Sequence, residues 1–254
     1  MPRNEILSPE GLRTDGRRWN EARHFKARIS LPTCASSSDG SSLVCMGQTN
    51  VMCTVSGPKE PSANLRGQVE HEKAFLNVNY SLSAFSGQER KKTGRMDKRT
   101  QEIRLSIENT FNEIVLLKLH PRSQIDITIT VLQQDGGVVA AAINAVTLAL
   151  IDAGIPMYTL VSAISAGSVT DGNTPIPILD TTNLEETDIS WLTIATEGSG
   201  DGDKINFLQC ETKMHLTAFE STLQLAVDGA RRIRGLLDDT CRQAGRAYKE
   251  RLQD

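Results

Sequence analysis

The chain has 254 residues, 39% of them hydrophobic but only 4% aromatic, and a formal net charge of -3, so a core must rest on Leu, Ile, Val and Ala, and any nucleic-acid contact must come from a local basic patch. Cys34, Cys45, Cys53, Cys210 and Cys241 are odd in number, scattered and free of any C-x-x-C pair, which excludes a disulfide framework and a paired-thiolate zinc site and points to a reducing compartment. The charged start, Met1 to Glu10, has no apolar centre and no apolar run is long enough to cross a bilayer, so neither a secretory leader nor membrane association is expected, and a soluble, intracellular protein is.

Residues 20 to 56 are predicted to form hairpin strands around the polar turn Ser36 to Ser42, with Val51-Met52-Cys53-Thr54-Val55 as a central strand ending at Gly57-Pro58. Ser62 to Lys73 is polar and reads as a surface loop, and Ala74 to Leu82 alternates as a strand. A strongly basic connector, Arg90 to Arg99, leads into a helix. There Ile103, Ile107, Phe111, Ile114 and Val115 share one face, and Glu102, Arg104, Glu108 and Asn112 are left for solvent.

Ile125 to Val131 alternates apolar and polar residues, the period of a half-buried strand, and Leu132 to Asp135 carries it into a turn at Gly136-Gly137. An Ala-rich apolar stretch from Val138 to Asp152 reads as a buried helix. A diglycine between strand and helix lets backbone amides and the positive helix end approach an anion. Such a site usually adds a hydroxyl and a cation, but the next two side chains are Val138 and Val139. The architecture of an anion site is therefore expected without its chemistry, and the two valines are read as helix-packing residues.

In the second half, Val161 to Val169 and Leu192 to Thr196 read as strands, with Asp171-Gly172-Asn173 as a turn and Ile176 to Asp180 as a short segment beyond it. Gly198 to Asp203 is a turn-prone loop before the segment Lys204 to Cys210, and it lacks the remaining ligands of a calcium loop. Thr217 and Glu220 fit a capping box at the start of a long helix reaching about Leu252. His24, His71, His120 and His215 are separated and read as surface or capping residues. Ser162, Ser165 and Ser168 show no nucleophile-elbow pattern. No metal and no cofactor is expected, and alternation of strands and helices without a linker predicts one α/β unit.

Five segments in order carry a family resemblance. Ser8-Pro9-Glu10-Gly11-Leu12-Arg13-Thr14-Asp15-Gly16-Arg17-Arg18 is similar to an opening R-x-D-G-R element, and Gly57-Pro58-Lys59-Glu60-Pro61 to a strand-to-loop G-P-x-E element. Leu132-Gln133-Gln134-Asp135-Gly136-Gly137 resembles a central motif, flanked by His120 to Asp126 and by Ala149 to Met157. Together they resemble the RNase PH family of phosphate-dependent 3′ exoribonucleases. Within it, the run Leu179 to Glu186 makes the chain most similar to the eukaryotic RNA exosome core subunit that is the counterpart of the archaeal exosome's catalytic RNase PH-like subunit.

The resemblance implies an α/β (α+β) fold of RNase PH type, built of internally duplicated strand-helix units in a single domain over residues 1–254, with halves at about 20–155 and 156–252. In active members a Ser or Thr and then an Arg follow the glycines and hold the attacking phosphate. Those places are taken by Val138 and Val139, so Gly136, Gly137, Val138 and Val139 form a degenerate phosphate site. Active members also keep an Asp before the strand that follows the acidic loop. The alignment places Ser190 there as a degenerate catalytic position, with Asp188 two residues away as the alternative register. No catalytic residue is expected.

Lys98 and Arg99 align with a basic pair that lines the central channel and grips the RNA backbone, and Arg95 and Arg66 join them as RNA-binding candidates; for Arg90, Lys91 and Lys92 a plain solvated face remains an equal reading. The implied partners are other RNase PH-like ring subunits, cap proteins with S1 or KH domains, a hydrolytic exoribonuclease and single-stranded RNA. The implied location is nucleus, nucleolus and cytoplasm. An active phosphorolytic enzyme and a pure scaffold without RNA contact remain the rival readings.

Overall fold

Residues 6–8, 10–32, 34, 37–61, 72–87, 89–90, 97–171, 174–199 and 202–251 are described by the computed structural model. In the first half, strands β1 (Phe25–Ile29), β2 (Gly40–Met46), β3 (Thr49–Lys59), β4 (Phe75–Leu82) and β5 (Gln124–Gln133) alternate with helices α1 (Lys98–Ile114) and α2 (Val138–Asp152). The second half holds β6 (Val161–Asp171), β7 (Thr174–Leu179), α3 (Asn183–Asp188), β8 (Ser190–Ser199), β9 (Gly202–Cys210) and α4 (Leu216–Arg251).

Period-two patterning sets the first sheet. Val51, Cys53 and Val55 of β3 pair in register with Val131, Ile129 and Ile127 of β5, and all six are buried, so one face of both strands turns to the core. The sheet order is β1-β2-β3-β5-β4, which makes the strand expected at Val51–Val55 central, and only β4 runs parallel to its neighbour. The second sheet, β7-β6-β8-β9, is antiparallel throughout. Each half thus ends its strands with a long helix, but the two sheets do not repeat one topology.

Every residue of α2 from Val139 to Leu150 is buried. A helix that is apolar all round belongs between two layers, and α2 packs on β2 and β3 on one side and on β6 on the other. Its alanines allow close approach: a Cβ on Gly40 of β2 would lie 2.3 Å from the Ala149 carbonyl oxygen. The polar residues of the helix are satisfied by β6. Asn144 Nδ2 donates to the Ala163 carbonyl at 2.9 Å and its Oδ1 accepts from the Ala163 amide at 2.8 Å, while Thr147 Oγ1 lies 3.0 Å from the Val161 carbonyl.

Helix α1 lays Ile103, Ile107, Phe111 and Ile114 against the core and packs on β4. Helix α4 buries Ala226, Ala230, Ile233 and Leu237, a helical stripe set on β6 and β7. No helix among the described residues is long and apolar enough to cross a membrane.

Three local features differ from expectation. The segment after the Asp171 turn is a full strand, β7, in spite of Pro175 and Pro177. Among the described strands it pairs only with β6, and prolines two residues apart can both turn their missing N–H outward at a sheet edge. The six residues of α3 were not anticipated. They carry the capping box, with the Thr182 hydroxyl and the Glu185 carboxylate each satisfying a backbone amide. The capping box expected at Thr217 and Glu220 is not what starts α4. That helix begins at Leu216, so Thr217 already lies in its first turn, with Oγ1 2.9 Å from His215 Nδ1.

Candidate functional site

The turn between β5 and α2 depends on its glycines. Gly136 and Gly137 have φ of 76° and 62°, in the left-handed region that side chains disfavour. A Cβ on Gly136 would also lie 2.4 Å from the Thr181 carbonyl oxygen. Gly137 is the N-cap of α2 and has no side chain with which to cap it. Its amide instead donates to Glu186 Oε1 at 2.7 Å, so a carboxylate already sits at the positive end of the helix.

The turn is held from behind by Arg23. Its backbone amide and Nε donate to Asp180 Oδ2 at 2.7 and 3.0 Å, and its Nη2 donates to Asp180 Oδ1 at 2.8 Å and to the Gly136 carbonyl at 3.2 Å. The same guanidinium bonds the Asp135 carbonyl. Burial works against the Arg23 charge, but Asp180 more than offsets it and raises the guanidinium above its ordinary value. Thr49 Oγ1 donates to the Gly136 carbonyl at 2.7 Å and accepts from the Asp135 amide at 3.0 Å. With its carbonyls engaged in this way, the turn keeps the Gly137 amide for α3.

A segment before β1 straps α3 in place. Arg13 is buried and pairs through two nitrogens with Glu185, donating also to the Leu179 and Asp180 carbonyls. Arg17 Nη1 reaches the Asp180 carbonyl at 3.1 Å. Asp180 itself is fully buried with φ of 55°, a conformation the arginines around it sustain. Glu186 follows Glu185 directly, so fixing one places the other. Burial pushes the Glu186 carboxyl up, against the Gly137 amide, the Thr181 hydroxyl and the charges of Arg23 and Arg99.

Thr181 Oγ1 lies 3.1 Å from both Glu186 Oε1 and Ser165 Oγ. Ser165 of β6 pairs with Thr193 of β8, which pairs with Gln209 of β9, and cross-strand partners share a sheet face. Thr193 Oγ1 and Gln209 Oε1 are buried without a hydrogen-bond partner among the described residues.

The structure distributes the sequence-predicted residues unevenly. Val139 is in the core and Val138 packs against it, leaving neither side chain a polar role at the turn. Ser190 opens β8, where its Oγ donates to the Lys213 carbonyl at 3.0 Å. Alternation places it with Leu192 and Ile194, on the face opposite Thr193. Asp188, at the end of α3, is exposed. The carboxylate that meets the diglycine is therefore neither of these but Glu186.

Lys98 and Arg99 are the first two residues of α1, exposed, behind the N-cap Asp97, whose side chain accepts from the Arg99 amide. Arg99 Nη2 pairs with Glu211 at 3.1 Å, and its charge also acts on Tyr80, whose hydroxyl burial pushes up. Arg95 and Arg66, together with Lys91 and Lys92, lie outside the described residues. Sequence reasoning missed Arg23, Asp180, Thr181 and Glu186. The adjacent Glu185-Glu186 pair was a visible signal; Arg23 carried none. Among the described residues no group of His, Cys, Asp and Glu is placed to hold a metal ion.

Residues 21–156 match the family model described as 3′ exoribonuclease family, domain 1, of RNase PH type. The chain is 42% identical to exosome complex component ski6 of Schizosaccharomyces pombe over 97% of each protein. It is 38% identical to exosome complex component RRP41 of Homo sapiens over 94% of each. Among solved structures it is similar to the crystal structure of rice (Oryza sativa) Rrp46, with a TM-score of 0.77 and 27% identity covering 91% of this chain and 100% of that one.

Proposed function

The chain belongs to the RNase PH family of 3′ exoribonucleases, and on that premise we propose that it is a ring subunit of an RNA exosome that does not itself cleave RNA. Its similarity along nearly its whole length to proteins named as exosome complex components supports the assignment to that assembly. Its neighbours in this reading are other RNase PH-like subunits, cap proteins with S1 or KH domains and a hydrolytic exoribonuclease, in nucleus, nucleolus and cytoplasm. RNA passes along Lys98 and Arg99, with Arg95 and Arg66 as further phosphate contacts, giving affinity without sequence preference.

The observation that carries the non-catalytic part is the pair Val138 and Val139, the second in the core and the first partly buried against it, beside a helix end that already holds a carboxylate. Phosphorolysis needs fixed donors for the charges of the attacking phosphate in a site shielded from water. Two valines supply none. The test is to assemble the full chain with its ring neighbours and incubate it with single-stranded RNA, with and without phosphate, in the absence of the hydrolytic enzyme. No phosphate-dependent release of nucleoside diphosphates is expected. Release above background that Asp188→Asn abolishes would sink the reading and favour an active enzyme with a displaced site.

A further inference from the structure

Phe85 is 75% exposed in a chain with only 4% aromatic residues. Burying a phenyl ring is one of the larger gains open to such a core, and here it is forgone. The ring does not sit on a loose loop. The Ser83 amide donates to the Val131 carbonyl at 3.0 Å, the Ser86 amide closes a turn on the Ser83 carbonyl at 2.9 Å, and the Ser86 carbonyl accepts from the Gln134 amide at 2.9 Å. Both ends of the turn are thus tied to the last stretch of β5 and the residue after it, and Ser86 is buried. The backbone is fixed, and the side chain between those ties stands in solvent.

The turn lies at the same end of the molecule as Lys98 and Arg99. Ala74, just before β4, donates its amide to the carbonyl of Leu117, which follows α1, at 3.0 Å. The end of α1 therefore meets the start of β4 and, since the two pack on each other, the helix runs back along the strand. The 17 residues of α1 span about 25 Å and the 8 of β4 about 26 Å. The first turn of α1 thus comes level with the end of β4, where the turn that carries Phe85 begins. The charge of Arg99 accordingly acts on Tyr80, close to that end.

We propose that Phe85 is a stacking platform for a base of single-stranded RNA whose phosphates are met by Lys98 and Arg99. This deepens the RNA-contact reading and rests on it. An aromatic ring accepts the flat face of any base, so it adds affinity without sequence preference, whereas the two cations act on the backbone charge alone. A protein partner fits the surroundings less well. Interface centres gather apolar side chains and exclude charge. Among the described residues from Ser81 to Arg99, Phe85 is the one large apolar side chain that is exposed, and Glu89, Arg90, Lys98 and Arg99 are exposed with it.

The test uses the assembled ring without the hydrolytic enzyme and two probes, single-stranded oligoadenylate and an abasic ribose-phosphate oligomer of equal length. Phe85→Ala should bind oligoadenylate at least about fivefold more weakly than wild type and bind the abasic oligomer equally well. Phe85→Trp should lose nothing on either. The slope of log affinity against log salt should be the same in wild type and Phe85→Ala, because stacking releases no counterion. Equal oligoadenylate affinity in Phe85→Ala, or the same loss on both probes, would overturn the proposal. A ring that assembles with neither Phe85→Ala nor Phe85→Leu would overturn it as well, by making Phe85 a contact between subunits. If only Phe85→Ala fails to assemble, Phe85→Leu decides on the same two probes, since it keeps apolar bulk and loses the flat face. The RNA-contact reading fails separately, through a salt slope that stays unchanged in Lys98→Glu with Arg99→Glu.

Discussion

Lys98 and Arg99 stand where a helix least favours cations. They occupy the first turn of α1, which holds no acidic residue, and each works against the helix dipole by about 0.3–1 kcal/mol. Helix stability therefore does not explain their presence, which strengthens the reading of them as RNA contacts. Arg99 is also paired with Glu211, but its side chain is 67% exposed, and such a pair is worth at most about 1 kcal/mol. Phosphate can displace it. In the assembled ring, Lys98→Glu with Arg99→Glu should slow degradation of long substrates by the hydrolytic enzyme while leaving assembly intact. It should also flatten the dependence of log affinity on log salt by about 1.4 units, at about 0.7 per single-strand contact. Glu211→Gln, which releases Arg99, should raise RNA affinity. An unchanged salt slope in the charge-reversed ring would move the pair to an ordinary solvated face and favour a scaffold that never touches RNA.

At the scale of elements, α3 joins the N-terminal strap to α2. The Arg13 and Glu185 side chains are 0% and 2% exposed, and removing one partner of such a pair leaves a buried charge uncompensated, at about 3–5 kcal/mol. Arg13→Ala should therefore lower stability to denaturant by about that amount. Arg13→Met with Glu185→Leu should recover part of the loss, because no buried charge remains, though the Leu179 and Asp180 carbonyls still lose their donor. A cost below about 1 kcal/mol in Arg13→Ala would mean that the strap is not coupled to α3.

At the scale of the whole molecule, the two sheets end in strands that, among the described residues, are paired on one side only, and the edge strand β9 exposes Ile205 and Leu208. Leu105, Leu119 and Tyr158 are exposed as well. Unpaired edges and apolar side chains of this kind favour association, and obligate ring contacts would bury them. Without its ring neighbours the chain should self-associate or melt without cooperativity, and with them it should be monodisperse. Sedimentation of the isolated chain as a monomer at low concentration, with a cooperative thermal transition, would remove this argument for a ring.

The sequence by itself determined the strands whose apolar residues alternate and the helices whose apolar residues recur at helical spacing. From those patterns β3, β5, α1 and α2 were legible, as was the family, because five motifs stand in order along the chain. Periodicity reports burial and not partners. It therefore could not reveal β7, where proline is tolerated because no described strand lies beyond it, nor α3, whose capping box and Arg13 contact stabilise a helix too short to show a period. The candidate site divided along the same line. Gly136, Gly137, Val138 and Val139 are consecutive, so their local chemistry could be read directly. Only the tertiary structure decided that Arg23 and Thr49 brace the turn and that Glu186 fills it, since those contacts join residues 49 to 113 positions apart, and a distance across the fold leaves no mark on neighbouring letters of the chain.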